Sequence, residues 1–495
     1  MKIGLFVNLN KRIIIALLIL FFFIIRAWFF LNTDNLYGAI PSQKIIHSQL
    51  ILENPFDVWD VNPLLYPYLL GAWIKVTNDI LVSPRILSLV FSVLMVVPFF
   101  KFCEILFREK RKAVLATVLL GIFPVHIMQS VVSMEEVFFY FFLFFSLYFF
   151  LKYKYEKQNI KILIVSALLL TISCGFRFEG FLYPALLFLF LLGKDKKPCL
   201  IFLGISMAVP VLWGLISYVK WHNPFSSFWI QDAVASLEIE LYNQKFKNVF
   251  ESVMTCLPLA AIIFGFLGLL AGLKNKRLSV VYLCFFVFLG IFTFKILNKG
   301  LLFQERYVLA FSIFFIIFIA EGVYSMLDRL SKVWIRNSIV VILCMYYFFY
   351  TAHLFRENEF FGMKAPEEIR HIIALLRDEQ RNDAIILLDV DMFHEYPEYI
   401  NVSAGFSPKR AVMPLVEEIM HRRLTPGTKK EHTEFDKRIL RLLKEKKINY
   451  ILYCTKDGYL KYLFPLSGDL DQIEGSYYKR IFKGNIFWLY KISQG

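Results

Sequence analysis

Eleven apolar runs constrain the fold of this chain of 495 residues. They cover residues 13–31, 84–106, 113–130, 134–151, 162–176, 179–193, 199–219, 253–273, 278–296, 307–327 and 338–355. A membrane-spanning helix needs about 20 predominantly apolar residues. Because 58% of the chain is hydrophobic and the mean hydropathy is +0.56, there is more apolar surface than one soluble core can bury. The sequence therefore predicts a polytopic α-helical membrane protein with about 11 transmembrane helices.

The formal net charge of +15 predicts membrane orientation rather than a nucleic-acid partner. The connections between the runs alternate between a basic set and an acidic set. The basic set, counted together with Asp328, has a net charge of +16, and the acidic set has a net charge of −3. The basic set consists of residues 1–12, 108–112, 152–161, 194–197, 274–277 and 329–336. Because basic connections stay in the cytoplasm, we expect a cytoplasmic N-terminus in a prokaryotic cell (inner) membrane. The composition also excludes a disordered chain and a disulfide scaffold.

Residues 356–495 differ from the preceding part, because their hydrophobic runs are short and their charges nearly balance. We expect residues 1–355 to form a transmembrane domain with a long first outer loop at 32–83. We expect residues 356–495 to form a small extracytoplasmic α/β domain. Its predicted elements are a helix from Pro366 to about Gln380, a strand at Ala384–Asp389, helices near 411–423 and 432–447, a strand at Asn449–Cys454, and a hairpin of Tyr477–Lys483 and Ile486–Ile492.

The first outer loop contains the first candidate site residue, Asp34, directly after the first apolar run. A carboxylate at the membrane interface can take a proton from a substrate hydroxyl. The alternative is an ordinary solvated residue at a helix end. Spacing in residues 39–53 and after Asn62 favours two interfacial helices in this loop.

A second cluster follows Pro124 and contains His126, Ser130, Glu135 and Glu136. Two adjacent acids at the start of a phenylalanine-rich span are hard to explain by packing. Since neighbouring helix residues point to different flanks, we expect one of the two acids to face a cavity. A solvated helix N-terminus, which favours negative charge, is the alternative.

The remaining candidates are basic. Lys299, Arg306 and Tyr307 open the tenth run, where Arg and Lys can bind a lipid phosphate or extend to the interface without function. Arg177 lies two residues before Glu179, so the two are expected to pair. Arg85 opens the second run, where it can pair with a carboxylate of the outer loop.

These segments resemble, in their order along residues 1–355, those of the GT-C membrane glycosyltransferases, in particular the dolichyl-phosphate-mannose protein mannosyltransferase-like and aminoarabinose-transferase-like group (glycosyltransferase family 39 type). The matching segments are Asp34-Asn35-Leu36-Tyr37, Asn62-Pro63-Leu64-Leu65-Tyr66-Pro67, Arg85, Pro124 with Ser130 and Glu135/Glu136, Gly175–Gly180 with Arg177, and Arg306-Tyr307. The chain departs from the family pattern at two places, because Asn35 replaces the second acid and Asn62 replaces a histidine.

The resemblance implies transfer of a sugar from a polyprenyl-phosphate donor to an acceptor hydroxyl on the outer face, with inversion. Asp34 is implied as the general base, and Arg306 and Lys299 as the cations that receive the departing phosphate. The residues implied to bind donor or acceptor are Asn35, Tyr37, Asn62, Arg85, His126, Glu135, Glu136, Arg177, Lys299, Arg306 and Tyr307. The implied partners are membrane lipid and a glycan, lipid or protein acceptor.

No cofactor is expected to be required, although a divalent cation is possible at Glu135 or Glu136. Two other functions stay open: a transporter or flippase of lipid-linked saccharides, and a non-catalytic glycan-binding protein of the same fold. A transporter usually shows internal repeats and charges near the membrane midplane, neither of which is evident here. The tripeptide Asp389-Val390-Asp391 resembles a metal-binding D-x-D motif, but a plain loop after a strand is the favoured interpretation.

Overall fold

The computed structural model contains two compact units. The first, here the helical unit, consists of residues 1–32, 56–69 and 85–361, and the second, here the mixed unit, of residues 33–55, 70–84 and 362–495. The structure describes residues 10–34, 40–53, 65–192, 196–226, 228–229, 251, 253–298, 305–357, 365, 367–378, 386–388, 399–400, 403–404, 411–412, 445, 448–454, 478–485 and 487–492. The predicted domain boundary at 355/356 stays a prediction.

Helices make up nearly all of the described helical unit. The described helices through residue 357 are α1 Lys11–Asn32, α2 Ile40–Glu53, α3 Leu65–Thr77, α4 Ser83–Leu94, α5 Val96–Phe107, α6 Lys110–Gly121, α7 Pro124–Val131, α8 Glu136–Tyr155, α9 Ile160–Cys174, α10 Leu182–Leu191, α11 Lys196–Ser206, α12 Ala208–Trp221, α13 Leu259–Gly272, α14 Ser279–Leu297, α15 Val308–Leu327 and α16 Val333–Glu357. Of these, α2 and the second half of α3 belong to the mixed unit.

Every one of the eleven predicted runs contains an apolar helix. Within the described residues, six helical segments are long and apolar enough to cross a membrane, one of which consists of α4 and α5 together, and two bent pairs raise that number to eight. Three further apolar helices, α9, α10 with the turn before it, and α13, are shorter than 18 residues. The predicted polytopic α-helical fold is therefore confirmed, and the count of eleven spans stays a prediction.

Prolines account for both bent pairs. Helices α6 and α7 meet at 58° where Pro124 opens α7, and α11 and α12 meet at 47° three residues before Pro210. Proline has no N–H to donate to the carbonyl four residues earlier, and its ring clashes with that carbonyl. A straight helix through either position would lose a hydrogen bond, so each run divides into two helices.

Helix α15 lies at the centre of the helical unit, because 94% of its most apolar window is buried. Its closest neighbour is α13, and glycines allow the two backbones to approach. A β-carbon placed on Gly268 would lie 1.7 Å from the carbonyl oxygen of Phe318, and one on Gly322 would lie 2.0 Å from that of Phe264. Small residues at such crossings are the usual means by which membrane helices pack closely.

The mixed unit contains a five-stranded sheet in the order β2-β1-β3-β5-β4. Its strands are β1 Ile386–Leu388, β2 Ala411–Val412, β3 Tyr450–Cys454, β4 Tyr478–Lys483 and β5 Phe487–Ile492. Strand β1 is parallel to β2 and β3, whereas β5 is antiparallel to β3 and β4. Helix α17, Glu367–Asp378, buries one apolar face in the same core as these strands, and this face includes Ile369, Ile372 and Leu376. The small C-terminal α/β fold is thereby confirmed.

The predicted elements of the mixed unit agree with the structure except at one place. Helix α17, strands β1 and β3, and the β4–β5 hairpin lie within their predicted ranges. The prediction of a helix near 411–423 is wrong at its start, since residues 411–412 pair with β1 as a strand. Valine favours a strand, and sheet pairing with β1 overrides helical spacing here. The rest of that range and the predicted helix near 432–447 lie outside the described residues, apart from the isolated residue 445.

We predict that Gly268→Val lowers the free energy of unfolding by about 1–3 kcal/mol, because the new side chain forces α13 away from the Phe318 carbonyl. Thermal unfolding in detergent measures the change. Gly290→Val is the matched control, since a β-carbon on Gly290 meets no atom within 4 Å and valine has the same helix propensity. Equal destabilisation by both variants would contradict the close crossing.

Candidate active site

A buried arginine organises the candidate active site. Arg177 lies between α9 and a short 3-10 helix, Phe178–Phe181. Its Nε donates to Oε2 of Glu179 over 3.1 Å, and its Nη2 donates to Oε1 of the same carboxylate. Its Nη1 donates to Oε1 of Glu136. Burial alone would lower the pKa of Arg177, but Glu179, Glu136 and Glu135 raise it well above its usual value. The predicted pairing of Arg177 with Glu179 is confirmed, and the same guanidinium also binds Glu136.

Both adjacent acids turn toward Arg177. Oε1 of Glu135 lies 3.5 Å from Nη1 of Arg177, the nitrogen that also binds Glu136. The expectation that the two acids diverge is therefore wrong. Glu135 has helical backbone angles and Glu136 is the first residue of α8, and the two side chains converge because one nitrogen, Nη1 of Arg177, lies within reach of both flexible carboxylates. Oε2 of Glu136 is buried with no hydrogen-bond partner among the described residues.

Arg306 and Tyr307 approach the same carboxylates. Burial alone would lower the pKa of Arg306, whereas Tyr307, Glu136 and Glu135 raise it above its usual value. Its guanidinium lies 5.0 Å from the centre of the Tyr307 ring, and its Nη2 donates to the Tyr307 hydroxyl over 3.2 Å. Gln129, on α7, donates from Nε2 to the backbone carbonyl of Arg306 over 3.4 Å. The structure thus brings together five predicted residues: Glu135, Glu136, Arg177, Arg306 and Tyr307.

Two further polar groups near this cluster were not predicted as site residues. The hydroxyl of Tyr66 lies 3.0 Å from Ser133 Oγ, and both side chains are buried. Oε1 of Gln129 is buried and has no hydrogen-bond partner within the described ranges. The signal for Gln129 was present, because it is the one amide side chain in the apolar helix α7. For Tyr66 the signal was its place in the Asn62–Pro67 segment.

Arg85 binds backbone carbonyls. Its Nε donates to Val131 O over 2.7 Å and its Nη2 to Phe30 O over 2.9 Å, while the guanidinium stacks 4.1 Å from the Phe30 ring centre. These contacts connect the start of α4 to the ends of α1 and α7. The expected pairing of Arg85 with an outer-loop carboxylate stays a prediction, as does its role in ligand binding.

His126 lies in a separate buried pair with Arg26 of α1. Arg26 Nη2 is 2.7 Å from His126 Nδ1, and Arg26 Nη1 donates to Gly121 O over 2.8 Å. An arginine can only donate, so Nδ1 of His126 accepts and its ring proton is on Nε2, which faces Met95 Sδ at 3.3 Å. This contact joins α1 to α7, and a role for His126 in ligand binding stays a prediction.

Asp34 belongs to the mixed unit. Its Oδ2 accepts a hydrogen bond of 2.7 Å from the backbone N–H of Ala365, just before α17, and its side chain is half-buried. A backbone donor on one oxygen fixes the orientation of the carboxylate and leaves the second oxygen available as an acceptor. Asn35, Tyr37, Asn62, Lys299 and the tripeptide 389–391 lie outside the described residues.

A complete metal site is not formed by the described part of the chain. No group of three or more His, Cys, Asp or Glu side chains in it lies close enough to hold a metal ion. Glu135 and Glu136 supply oxygen ligands of the type that divalent cations prefer, but both carboxylates lie against Arg177. A cation at these acids therefore stays a prediction.

We predict that Arg177→Gln lowers the free energy of unfolding by about 3–5 kcal/mol, because it leaves buried carboxylates without their counter-charge. Arg336→Gln is the control, since Arg336 pairs with an exposed carboxylate, Asp328, and such pairs contribute about 0–1 kcal/mol. Denaturant unfolding in detergent measures both. Adding Glu136→Gln to Arg177→Gln should restore part of the stability; no restoration would contradict the electrostatic explanation.

Sequence comparison identifies one family match. Residues 61–216 match the family model described as dolichyl-phosphate-mannose-protein mannosyltransferase. This segment includes Arg85, Glu135, Glu136 and Arg177. A search of curated protein sequences found no match.

Three solved structures with a similar fold are distant from this chain in sequence. ArnT from Cupriavidus metallidurans, bound to undecaprenyl phosphate, is 10% identical, with a TM-score of 0.59 and coverage of 97% of both chains. The oligosaccharyltransferase AglB from Archaeoglobus fulgidus, in complex with an inhibitory peptide and a dolichol-phosphate, is 11% identical, with a TM-score of 0.52 and coverage of 89% of this chain and 69% of that one. A complex of the Archaeoglobus fulgidus oligosaccharyltransferase with zinc and sulfate is 13% identical, with a TM-score of 0.54 and coverage of 90% and 68%.

These matches agree with the motifs from which the resemblance was inferred. The family model covers Glu135, Glu136 and Arg177 of the cluster but not Arg306 and Tyr307, and the structural similarity extends over most of the chain. The chain therefore has the fold of the GT-C membrane glycosyltransferases, and the resemblance predicted from its sequence is confirmed.

Proposed function

We propose that this protein is a membrane glycosyltransferase that moves a sugar from a polyprenyl-phosphate donor to an acceptor hydroxyl, with inversion. The observation that carries the proposal is the buried cluster in which Arg177 binds Glu136 and Glu179, beside Glu135 and Arg306. Buried charges in a membrane protein are costly and mark functional sites. The cluster contains both kinds of group that this reaction needs: carboxylates, which bind sugar hydroxyls, and cations, which bind phosphate.

The acceptors in the cluster suit a sugar. Oε2 of Glu136 and Oε1 of Gln129 are buried atoms that make no hydrogen bond to any described residue. Leaving a buried acceptor without a partner costs free energy, which a donor from the ligand recovers. Sugar hydroxyls are donors of this kind. We therefore assign Glu136 and Gln129 to binding of the donor sugar.

The cations suit the phosphate of the donor. Arg306 carries a permanently charged guanidinium, and this group can bind a phosphate in a bidentate manner. ArnT, which shares the fold, is bound to undecaprenyl phosphate, and the family model that matches residues 61–216 is that of enzymes using dolichyl-phosphate mannose. These findings support a polyprenyl-phosphate donor for this chain.

The reaction then proceeds by a single displacement. Asp34 takes the proton from the acceptor hydroxyl, and the acceptor oxygen forms a bond to the anomeric carbon. The bond from that carbon to the phosphate oxygen breaks, and the polyprenyl phosphate leaves with both electrons. Arg306 stabilises the charge that develops on this oxygen. Attack from the side opposite the leaving group inverts the anomeric centre.

The charge distribution supports an outer-face reaction. The acidic connections that contain Asp34, Glu135 and Glu136 alternate with basic ones, which the positive-inside rule places in the cytoplasm. We therefore place the N-terminus inside a prokaryotic cell membrane and residues 356–495 outside it. The zinc in the Archaeoglobus oligosaccharyltransferase complex supports testing divalent cations in the reaction.

We predict that Asp34→Asn abolishes sugar transfer while expression and unfolding temperature stay unchanged. Asparagine keeps an oxygen acceptor for the Ala365 N–H but cannot take a proton. The assay follows release of polyprenyl phosphate from radiolabelled polyprenyl-phosphate hexoses and pentoses by purified protein in detergent, with and without Mg²⁺, Mn²⁺ or Zn²⁺. Asp328→Asn, at an exposed ion pair, is the control.

Full transfer by Asp34→Asn would disprove the assignment of the base. Detergent micelles contain no second compartment, so a transporter of lipid-linked saccharides would release no polyprenyl phosphate in this assay. A non-catalytic glycan-binding protein would also release none, with or without the mutation.

We further predict that Arg306→Gln weakens binding of undecaprenyl phosphate by about 10-fold or more, because a charge-assisted phosphate contact contributes about 1.5–3 kcal/mol. The carrier without sugar is the probe, so the measurement does not require knowledge of the sugar. The rise in unfolding temperature with carrier concentration gives the affinity. Arg336→Gln serves as the control, and equal affinity in all three proteins would contradict the phosphate assignment.

A further inference from the structure

A cavity of about 560 Å³ lies in the helical unit at the opposite end of α8 from Glu136. Its walls come from the turn between α5 and α6, the last residue of α8, and the turn between α13 and α14. The lining residues are Leu106, Phe107, Arg108, Glu109, Lys112, Tyr155, Ala271, Lys274, Asn275, Lys276, Arg277 and Glu321. Helix α8 has 20 residues, so its rise separates this cavity from the acid cluster by about 30 Å.

Positive charge predominates in this cavity. Lys112 is neutralised, because its Nζ donates to both carboxylate oxygens of Glu321 over 3.0 and 2.9 Å. Glu109 lies 3.5 Å from the same Nζ and 3.4 Å from Arg111. In contrast, four other cations of the lining have no carboxylate within 4.0 Å in the described part of the chain: Arg108, Lys274, Lys276 and Arg277.

The α13–α14 turn holds two of its side chains in fixed positions. Asn275 Nδ2 donates to Leu106 O over 3.1 Å, and Arg277 Nη1 donates to Ile105 O over 2.7 Å. The Arg277 guanidinium also lies 5.0 Å from the centre of the Tyr155 ring. These contacts satisfy carbonyls at the end of α5 and orient Arg277, while Nε and Nη2 of this guanidinium make no hydrogen bond to described residues. A preorganised arginine loses little entropy when it binds an anion.

Arg108 adopts a backbone conformation that ordinarily favours glycine. Its φ of 55° and ψ of 8° lie in the left-handed region, and its N–H closes α5 by donating to Glu104 O over 3.0 Å. Glycine would close the helix without steric cost, so packing does not require an exposed arginine at this position. Non-glycine residues in such conformations concentrate at ligand-binding sites.

We propose that this cavity binds a phosphate group, either the headgroup phosphate of an anionic phospholipid or a soluble phosphate. The four cations Arg108, Lys274, Lys276 and Arg277 supply the charge, and Arg277 supplies oriented N–H donors. The apolar side chains of Leu106 and Phe107 line the same cavity, and the cavity lies where apolar spans end, which suits a lipid headgroup. Basic pockets between membrane helices recognise phospholipid headgroups in this way.

The test uses the full-length protein purified in detergent, with three probes: dioctanoyl phosphatidylglycerol, dioctanoyl phosphatidylcholine and inorganic phosphate. The rise in unfolding temperature with probe concentration gives a half-saturation point. Two double variants remove cavity charge, Arg108→Gln/Lys274→Gln and Lys274→Gln/Lys276→Gln. Each should weaken half-saturation by about thirtyfold, since each charge near a membrane surface contributes about fivefold. Their unfolding temperatures without probe verify folding.

The control is Lys157→Gln/Lys161→Gln, which removes two exposed lysines of the same basic set of connections that do not line the cavity. Saturable stabilisation by phosphatidylglycerol alone supports a lipid headgroup, and equal stabilisation by inorganic phosphate supports a soluble ligand. If no anionic probe saturates, or if the control variant weakens binding as much as the cavity variants do, the proposal is wrong and the charge only sets orientation.

Discussion

Arg177 supplies positive charge to two buried carboxylates, Glu135 and Glu136, and to the partly exposed carboxylate of Glu179. Glu136 begins α8 and Glu179 lies in the turn after α9, so one guanidinium connects two spans that pack along their length. Charge of this kind is expensive to bury, and the cost is offset only when hydrogen bonds and counter-charges are both present. The site therefore depends on Arg177, because its removal takes the same counter-charge from Glu136 and Glu179.

The polar groups of the helical unit are divided between its two ends. The acid cluster lies where α8 begins, and the basic cavity lies where α8 ends. Between them, α15 is buried along nearly its whole length by apolar side chains. The two polar regions lie about 30 Å apart along α8 and share no residue. Chemistry at one end and binding at the other can consequently be altered separately by mutation.

Much of the fold follows from patterns along the sequence. The eleven apolar runs, the bends at Pro124 and Pro210, and helix α17 with strands β1 and β3 all arise from local composition and spacing. The pairing of Arg177 with Glu179 was also predictable, because the residues are two apart. The convergence of Glu135 with Glu136 was not, because it depends on Arg177, which lies about 40 positions further along the chain. The contacts of Arg26 with His126 and of Asp34 with Ala365 join residues 100 and 331 positions apart, a separation that one sequence does not encode visibly.

The glycine crossing of α13 and α15 has a chemical consequence beyond close packing. At Gly268 the position of the missing side chain is taken by an α-hydrogen that points at the Phe318 carbonyl, and Gly322 points one at the Phe264 carbonyl. This close approach favours two reciprocal Cα–H···O contacts, which are weak and do not depend on the expulsion of water. Such a pair of helices can associate within lipid before its neighbours arrive. We expect α13 and α15 to form an early nucleus around which the remaining spans assemble.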